Sequence, residues 1–383
     1  MQNYRGTFVN KNRDAWVEIN LGNLEYNVLN IKKFLKENCP KEPEIFAVIK
    51  ADGYGHGSLM CAPTLSACGV KYFGVASIDE GIELREHKIT QPILVLGASP
   101  LWAMENAIKY DICVSIFNDE HIEMATQLYE RLNKKLKVHI KLDTGMNRIG
   151  INKDNANKFI KKVLNMQCIE LKGIFTHFAD VENETIFKKQ IKEFQEIIEP
   201  FKEEFTKNNV KIHCLNSPGM FSYPKFGFDM VRMGIIMWGL TPYSKENNIM
   251  PKVLPVMGLK ARITNIHTLK EGDGISYGHI YKAQKNTLVA TIPIGYADGI
   301  ARNLSGKISA TLNGKEIKQI GRITMDQIMF DVTNVDCCVG DVITLLGEDN
   351  KIDTIDTWAY KLDTINYELT CRLKMRLPRI YVR

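Results

Sequence analysis

The chain has 383 residues, 45% hydrophobic and 25% charged, so it can bury a sizeable core and is no disordered, collagenous or coiled-coil protein. At about 150 residues per domain, the length suits two or three domains, or one large barrel with an appendage. Fifty Lys+Arg against 44 Asp+Glu leave a net charge of +6, too small and too scattered to predict nucleic-acid binding, although a small anionic ligand stays open.

No apolar run approaches the roughly 18 residues of a membrane helix, and the best, Met230 to Leu240, is interrupted by Arg232. Residues 1–14 lack the apolar middle of a secretory signal, which predicts a cytoplasmic protein. Cysteines stand at Cys39, Cys61, Cys68, Cys113, Cys168, Cys214, Cys337, Cys338 and Cys371. Their odd count, the lack of any C-x-x-C and the apolar text around most of them read as reduced core thiols, neither a disulfide frame nor a metal site.

From about residue 20 to 245, short apolar runs alternate with helical patterns, the signature of a parallel sheet built from βα units. Leu24, Val28, Ile31 and Leu35 fall on one helical face, ahead of the first of eight candidate strands. Those strands are Ile45–Lys50, Lys71–Ala76, Ile93–Gly97, Ile112–Ile116, Val138–Lys141, Leu171–His177, Ile212–Asn216 and Met230–Ile235. Ser77-Ile-Asp-Glu80 has the capping-box form, Asn118 can cap the next helix, and Phe187, Ile191, Phe194 and Ile198 line another helical face. Eight βα units predict an α/β fold with a closed, TIM-like (β/α) barrel, a doubly wound open sheet being the alternative.

After the proline-containing stretch 241–255 the pattern turns to strands. Leu288, Ala290, Ile292 and Ile294 alternate, as do Ile308, Ala310 and Leu312 up to the hairpin signal Asn313-Gly314. The expected division is therefore a barrel over 1–252 and a mostly β C-terminal domain over 253–383.

Barrel active sites lie at the carboxyl ends of the strands. The first strand runs directly into Lys50 and then Ala-Asp-Gly-Tyr-Gly-His-Gly. Alone, such a lysine reads as a snorkelling surface side chain. Gly53, Gly55 and Gly57 weaken that reading, because they let the backbone pass close to a ligand. A buried lysine of depressed pKa can instead form a Schiff base, and pyridoxal phosphate is the common cofactor of that type.

The segment Ala47-Val-Ile-Lys-Ala-Asp-Gly-Tyr-Gly-His-Gly57 resembles the cofactor-lysine motif of the alanine racemases, fold-type III pyridoxal phosphate enzymes. Further matches run along the chain: Lys141-Leu-Asp-Thr-Gly-Met-Asn-Arg148, Thr176-His177, Asn216-Ser217, Val231-Arg232-Met-Gly234-Ile235, Ser276-Tyr277-Gly278, Pro293-Ile-Gly-Tyr296-Ala-Asp-Gly299, Gly321-Arg-Ile-Thr-Met325-Asp326-Gln and Asn366-Tyr367-Glu368. The resemblance implies a barrel followed by a β domain, a head-to-tail homodimer with shared sites, no metal, and interconversion of L- and D-alanine for peptidoglycan.

Racemisation removes the Cα proton from one face and returns one on the other, so two bases must flank the substrate. By resemblance, Lys50 holds the cofactor and is one base, while Tyr277 of the partner subunit is the other. A free tyrosine titrates near about 10, and the family offers a chain from Tyr277 through His177 to Arg232 to help it. Arg232 also faces the pyridine nitrogen, to which a guanidinium cannot readily give a full proton. Asn216, Ser217, Gly234, Ile235, Tyr54 and Tyr367 are the implied cofactor and phosphate contacts. Arg148 and the Met325 amide are implied for the substrate carboxylate, Lys141 matches a position many members carry as a carbamate, and Tyr296 narrows the entrance. Asp326 and Arg302 share that intersubunit neighbourhood.

The chain departs from the common pattern at Gly53, Asn147, Trp238 and Thr324, where alanine, glycine, tyrosine and cysteine are frequent. Rival readings are a serine or broad-range racemase, an amino-acid decarboxylase on the same barrel, which has no need of Tyr277, and a non-catalytic cofactor carrier, which lacks the β domain.

Overall fold

The computed structural model describes residues 12–243, 250–348, 352–374 and 376–383. Residues 1–11, most of the stretch that lacks the apolar middle of a secretory signal, lie outside them. No described helix is long and apolar enough to cross a membrane.

The first strand, β1 (Ala15–Asn20), leads into the helix Leu21–Asn38, whose start is fixed by the Asn20 side chain accepting from the Asn23 amide. Leu24, Val28, Ile31 and Leu35 are all buried, as their spacing requires. All eight predicted barrel strands then follow: β2 (Glu44–Val48), β3 (Tyr72–Val75), β4 (Ile93–Ala98), β5 (Cys113–Ile116), β6 (Leu136–Lys141), β7 (Ile169–Phe175), β8 (Lys211–His213) and β9 (Met230–Met233). They are parallel, each pairs with the next from β2 to β8, and β9 returns to β2. The β8–β9 seam is closed by an isolated bridge between Asn216 and Arg232, with the Arg232 amide donating to Leu215 O at 3.0 Å. The barrel is therefore nearly closed, and the open doubly wound sheet is excluded. Several expected strand ends, including Lys50, His177, Asn216 and Ile235, lie beyond the paired strands, because the chain leaves the ladder there to form the mouth.

Helix caps follow the sequence with one difference. Asn118 accepts from the His121 amide, and Ser77 accepts from the Glu80 amide. The Glu80 carboxylate does not return to Ser77, however, and accepts from the Ala76 amide instead. On the helix Glu184–Ile198, Phe187, Ile191, Phe194 and Ile198 are buried.

The second domain contains β10 (Met257–Arg262), β11 (Asn265–Leu269), β12 (Gly274–Ile275), β13 (Tyr281–Lys282), β14 (Thr287–Ile292), β15 (Ser309–Leu312), β16 (Lys315–Ile320), β17 (Ile328–Asp331), β18 (Val342–Leu346) and β19 (Arg379–Val382). Its large sheet has the order β11-β14-β17-β16-β15-β18-β10-β1-β19. β1 thus belongs to this sheet, antiparallel to β10 and parallel to β19, although the division at 252/253 assigned it to the barrel. Its alternating buried and half-buried residues suit a one-faced strand, unlike the solid apolar runs of the barrel. The Asn313-Gly314 hairpin forms with φ of 50° and 71°, as a type I′ turn needs. β14 is buried on both faces: Val289 joins a satellite core with Leu269, Ile275, Ala283, Ile320 and Met329, while Ala290 and Ile292 face the main core.

Of the cysteines expected in the core, Cys61, Cys113, Cys168 and Cys214 are buried, whereas Cys338 and Cys371 are exposed. Cys338 sits in a turn against Asp341, and Cys371 lies on the helix Asn366–Arg372, close enough to Lys50 to feel its charge.

Gly239 ends the barrel with φ of 77°, and a Cβ there would stand 1.8 Å from Leu254 O. Gly239→Ala is expected to lower stability by at least about 2 kcal/mol, read from the urea unfolding midpoint. An unchanged midpoint would contradict this packing.

Candidate active site

Beyond β2 the backbone reverses its hand. Ala51, Asp52, Gly53 and Tyr54 have φ of 51°, 55°, 62° and 55°, one turn of left-handed helix immediately after Lys50. Each non-glycine residue in that conformation costs about 1–2 kcal/mol, so the turn needs strong local bonds. The Gly53 amide donates to Ile49 O at 2.8 Å, and the Gly57 amide to Asp52 O at 2.8 Å. Asp52 Oδ1 accepts from the Ser58 amide at 2.9 Å, and Glu80 Oε1 from the Ala51 amide at 2.8 Å. Gly53, where alanine is frequent, fits the reversed hand without penalty.

The reversed turn aims the Tyr54 phenol at Gly234, where any Cβ would stand 2.7 Å from its oxygen. Ser217 Oγ accepts from the Gly234 amide at 3.1 Å, and Asn216 caps the following helix by accepting from the Gly219 amide at 3.1 Å. Ile235 opens a single helical turn, and the Tyr367 ring lies 5.9 Å from that of Tyr54. Burial pushes the Tyr367 phenol up to about 12 and raises Tyr54 further, so both stay protonated donors. Tyr54, Ser217, Gly234, Ile235 and Tyr367 thus gather neutral donors at one end of the barrel mouth. Trp238, another departure, stacks on His56 at 4.4 Å behind this wall.

The lumen beneath holds a buried cation. Arg232 Nη2 is shared among Thr176 O (2.8 Å), Cys214 O (2.7 Å) and His177 Nδ1 (3.3 Å), and Nη1 meets His213 Nδ1 at 2.8 Å. Burial lowers its pKa to about 10, which leaves it charged at neutral pH. The histidines around it are held neutral: His177 and His213 fall well below the usual range, and His139 falls to about 3, each through burial and then the Arg232 charge. Because Arg232 can only donate, His177 and His213 accept through Nδ1 and carry their proton on Nε2. His213 Nε2 then donates to His139 Nδ1 at 3.0 Å.

Lys50 stands at the open mouth, and burial followed by the Arg148 charge lowers the pKa of its amine. Arg148 lies on an exposed loop whose turn is set by Asp143 Oδ1, accepting from the Gly145 and Asn147 amides at 3.0 Å each. Asn147 has φ of 54°, which asparagine tolerates better than most residues, so this departure preserves the conformation a glycine would supply. Lys141 is buried, donating to Leu142 O at 3.1 Å and lying 5.0 Å from the Phe175 ring centre. Burial and then Arg232 lower its amine to about 7.

Tyr277, Tyr296 and Met325 lie on the second domain, with 72%, 39% and 53% of their surface exposed. The amides of Tyr296 and Ala297 donate to Thr324 O and Met325 O at 3.0 Å, which locks those two loops together. Thr324 makes a closed turn with Gln327, donating its hydroxyl to Gln327 O at 2.9 Å. Asp326 accepts from Arg376 at 2.6 Å, and Arg302 opens a short exposed helical turn.

Sequence reading missed His139, His213, Glu80 and Asp52. His139 shares its strand face with Lys141, and His213 interrupts apolar text, so polar residues inside buried strands were the available signal.

Since the folded chain releases the Lys141 proton near pH 7 and the unfolded chain keeps it into the ordinary lysine range, burial of this amine is most destabilising below pH 7. Lys141→Met should gain stability there relative to the native chain, and the gain should fade toward pH of about 10. In CO2-free buffer, 15N-lysine NMR should find one amine, lost in that variant, titrating near 7; a titration in the ordinary range would contradict the assignment.

A family model described as the N-terminal domain of alanine racemase matches residues 19–242, and one for the C-terminal domain matches residues 256–381. Alanine racemase 1 of Oceanobacillus iheyensis is 39% identical over 376 residues, 97% of this chain and 98% of that protein. The alanine racemase structure of Clostridium difficile 630 superposes with a TM-score of 0.88 at 36% identity, over 96% of each chain. The histidine racemase of Leuconostoc mesenteroides subsp. sake has a TM-score of 0.86 at 29% identity, over 98% of this chain and 100% of that one. With both domains matched along nearly the whole length, the chain belongs to the alanine racemase family of isomerases.

Proposed function

We propose that the chain interconverts L- and D-alanine with pyridoxal phosphate, in a homodimer whose sites each combine Lys50 of one subunit with Tyr277 of the partner subunit. The observation that carries this reading is the separation of the parts. Lys50 follows the barrel strand β2, while Tyr277, Tyr296 and Met325 are displayed on the second domain. A proton-transferring phenol 72% exposed is ready to enter another subunit's barrel mouth.

The barrel residues fit the cofactor. Gly234, where a Cβ would crowd Tyr54, leaves room for a phosphate, and the neutral donors of Tyr54, Ser217, Gly234, Ile235 and Tyr367 would hold it, with Asn216 beside them. Lys50 would supply the covalent amine, and Arg232 would face the pyridine nitrogen. When bound, pyridoxal phosphate withdraws electrons from the substrate Cα and so makes its proton removable.

The chain's own groups then divide the work. Lys50 Nζ takes or gives the proton on one face of Cα, and the Tyr277 oxygen does so on the other. His177, its Nδ1 engaged by Arg232, offers Nε2–H to the phenol oxygen and so orients it for proton transfer. Arg232 keeps its proton throughout. Arg148, with the Met325 amide of the partner subunit, takes the substrate carboxylate. Lys141 supports Arg148: with its pKa lowered to about 7, the neutral form of this amine can add to carbon dioxide, release a proton and become a carbamate anion between two guanidinium groups. Tyr296 narrows the entrance, which suits a methyl side chain. The bacterial source of the relatives supports supply of D-alanine for peptidoglycan, in the cytoplasm.

A racemase of larger amino acids is the second reading, favoured by the histidine racemase of similar fold. A decarboxylase would leave Tyr277 without a task.

With L-alanine in deuterium oxide, optical rotation should vanish as deuterium enters Cα, whereas release of carbon dioxide would mean decarboxylation. Lys50→Ala and Tyr277→Phe should each be nearly inactive alone, yet a one-to-one mixture of unfolded and refolded subunits should recover about one quarter of native activity. No recovery would refute the shared site.

A further inference from the structure

We propose that Glu80 is a positioning residue for Lys50: its carboxylate, clamped between the Ala51 and Ala76 amides, fixes where the lysine's strand ends and where the left-handed turn begins. The inference rests on the proposal that Lys50 binds the cofactor.

Glu80 occupies the third position of the helix Ile78–Glu86, behind the cap Ser77. Helix stability alone would send its carboxylate back to the Ser77 amide, completing the capping box. Both oxygens leave the helix instead, Oε2 to the Ala76 amide at 2.7 Å and Oε1 to the Ala51 amide at 2.8 Å. Ala76 follows β3 and Ala51 follows Lys50, so one side chain ties together the ends of two adjacent strands. The tie lies just past their last rung, the Ile49 amide donating to Gly74 O at 2.9 Å. Ala51 is the first residue of reversed hand, and a charge-assisted bond at that point decides which way the chain turns. The turn in turn sets the direction of Tyr54, so the clamp acts on both ends of the cofactor site.

The charge of Glu80 has a second effect. The groups that face the Lys50 amine are Arg148, which lowers its pKa, and Glu80 and Cys371, which raise it, while His177 nearby is neutral. Glu80 therefore opposes burial and Arg148. Its loss should drive the amine further down.

Capture of pyridoxal phosphate by the full chain freed of cofactor separates these effects. Lys50 Nζ, as free amine, adds to the aldehyde carbon, and the C=N bond forms as the aldehyde oxygen leaves as water with the two amine protons. Borohydride then delivers hydride to that carbon and water protonates the nitrogen, so labelled Lys50 is counted by mass spectrometry. In Glu80→Gln the high-pH plateau of the capture rate should fall about tenfold, from loss of a charge-assisted bond, and the midpoint of the pH profile should move down. Glu80→Asp keeps the charge but not the reach, so its plateau should fall while its midpoint stays; if the glutamine variant fails to fold, this variant decides. Unchanged plateaus in the folded variants would overturn the proposal, and an unmoved midpoint in Glu80→Gln would overturn its electrostatic half. Failure of the native chain to capture the cofactor would instead overturn the cofactor reading, and the proposal with it.

Discussion

The buried guanidinium of Arg232 is the constraint around which the barrel is organised. Its backbone closes the β8–β9 seam, through the bridge to Asn216, while its side chain occupies the lumen. Its hydrogen-bond partners are two carbonyls and two imidazoles, with no carboxylate among them in the described residues. An uncompensated buried charge acts at a distance. After burial itself, this charge is the second cause that pushes His177, His213, His139 and Lys141 toward their neutral forms, and the Phe175 ring has the Arg232 guanidinium 5.4 Å and the Lys141 amine 5.0 Å from its centre. One residue therefore sets barrel closure, histidine tautomers and amine basicity together. A change at Arg232 cannot be read as a change of one contact.

The reversed turn after Lys50 supplies the complementary constraint. Arg232 organises the site from below, and the left-handed residues Ala51 to Tyr54 organise it from the rim. A right-handed continuation would carry Tyr54 away from Gly234. The strain of the turn is local, and so are the bonds that hold it, from Asp52, Glu80 and the Ile49 carbonyl.

Legibility of the sequence followed the range of the forces involved. Barrel strands were readable because parallel strands buried on both faces are written as continuous apolar runs, and helices because Leu24 to Leu35 or Phe187 to Ile198 repeat at the helical period. Local hydrogen bonds, such as the caps of Ser77 and Asn118, were equally visible. Partners distant along the chain were not. Nothing near Ala15–Asn20 announces that it pairs with β10 and β19, and nothing near Glu80 announces the Ala51 amide. The site residues were found through motifs at strand ends, which is why the lumen histidines, lying deeper in β6 and β8, escaped. Asn147 departs from the common glycine, and its positive φ, which asparagine tolerates, makes the departure a mild one.

The parallel pairing of β1 with β19 has a consequence for biosynthesis. Val17 lies opposite Arg379 and Asn20 opposite Val382, so one edge of β1 is covered only by a strand translated after the whole barrel. The barrel strands emerge in between and can zip up in order on the ribosome, while β1 waits with an open flank. Nascent chains thus carry a prolonged aggregation hazard at β1, which slower translation of the middle would lengthen and a chaperone seated on that strand would relieve.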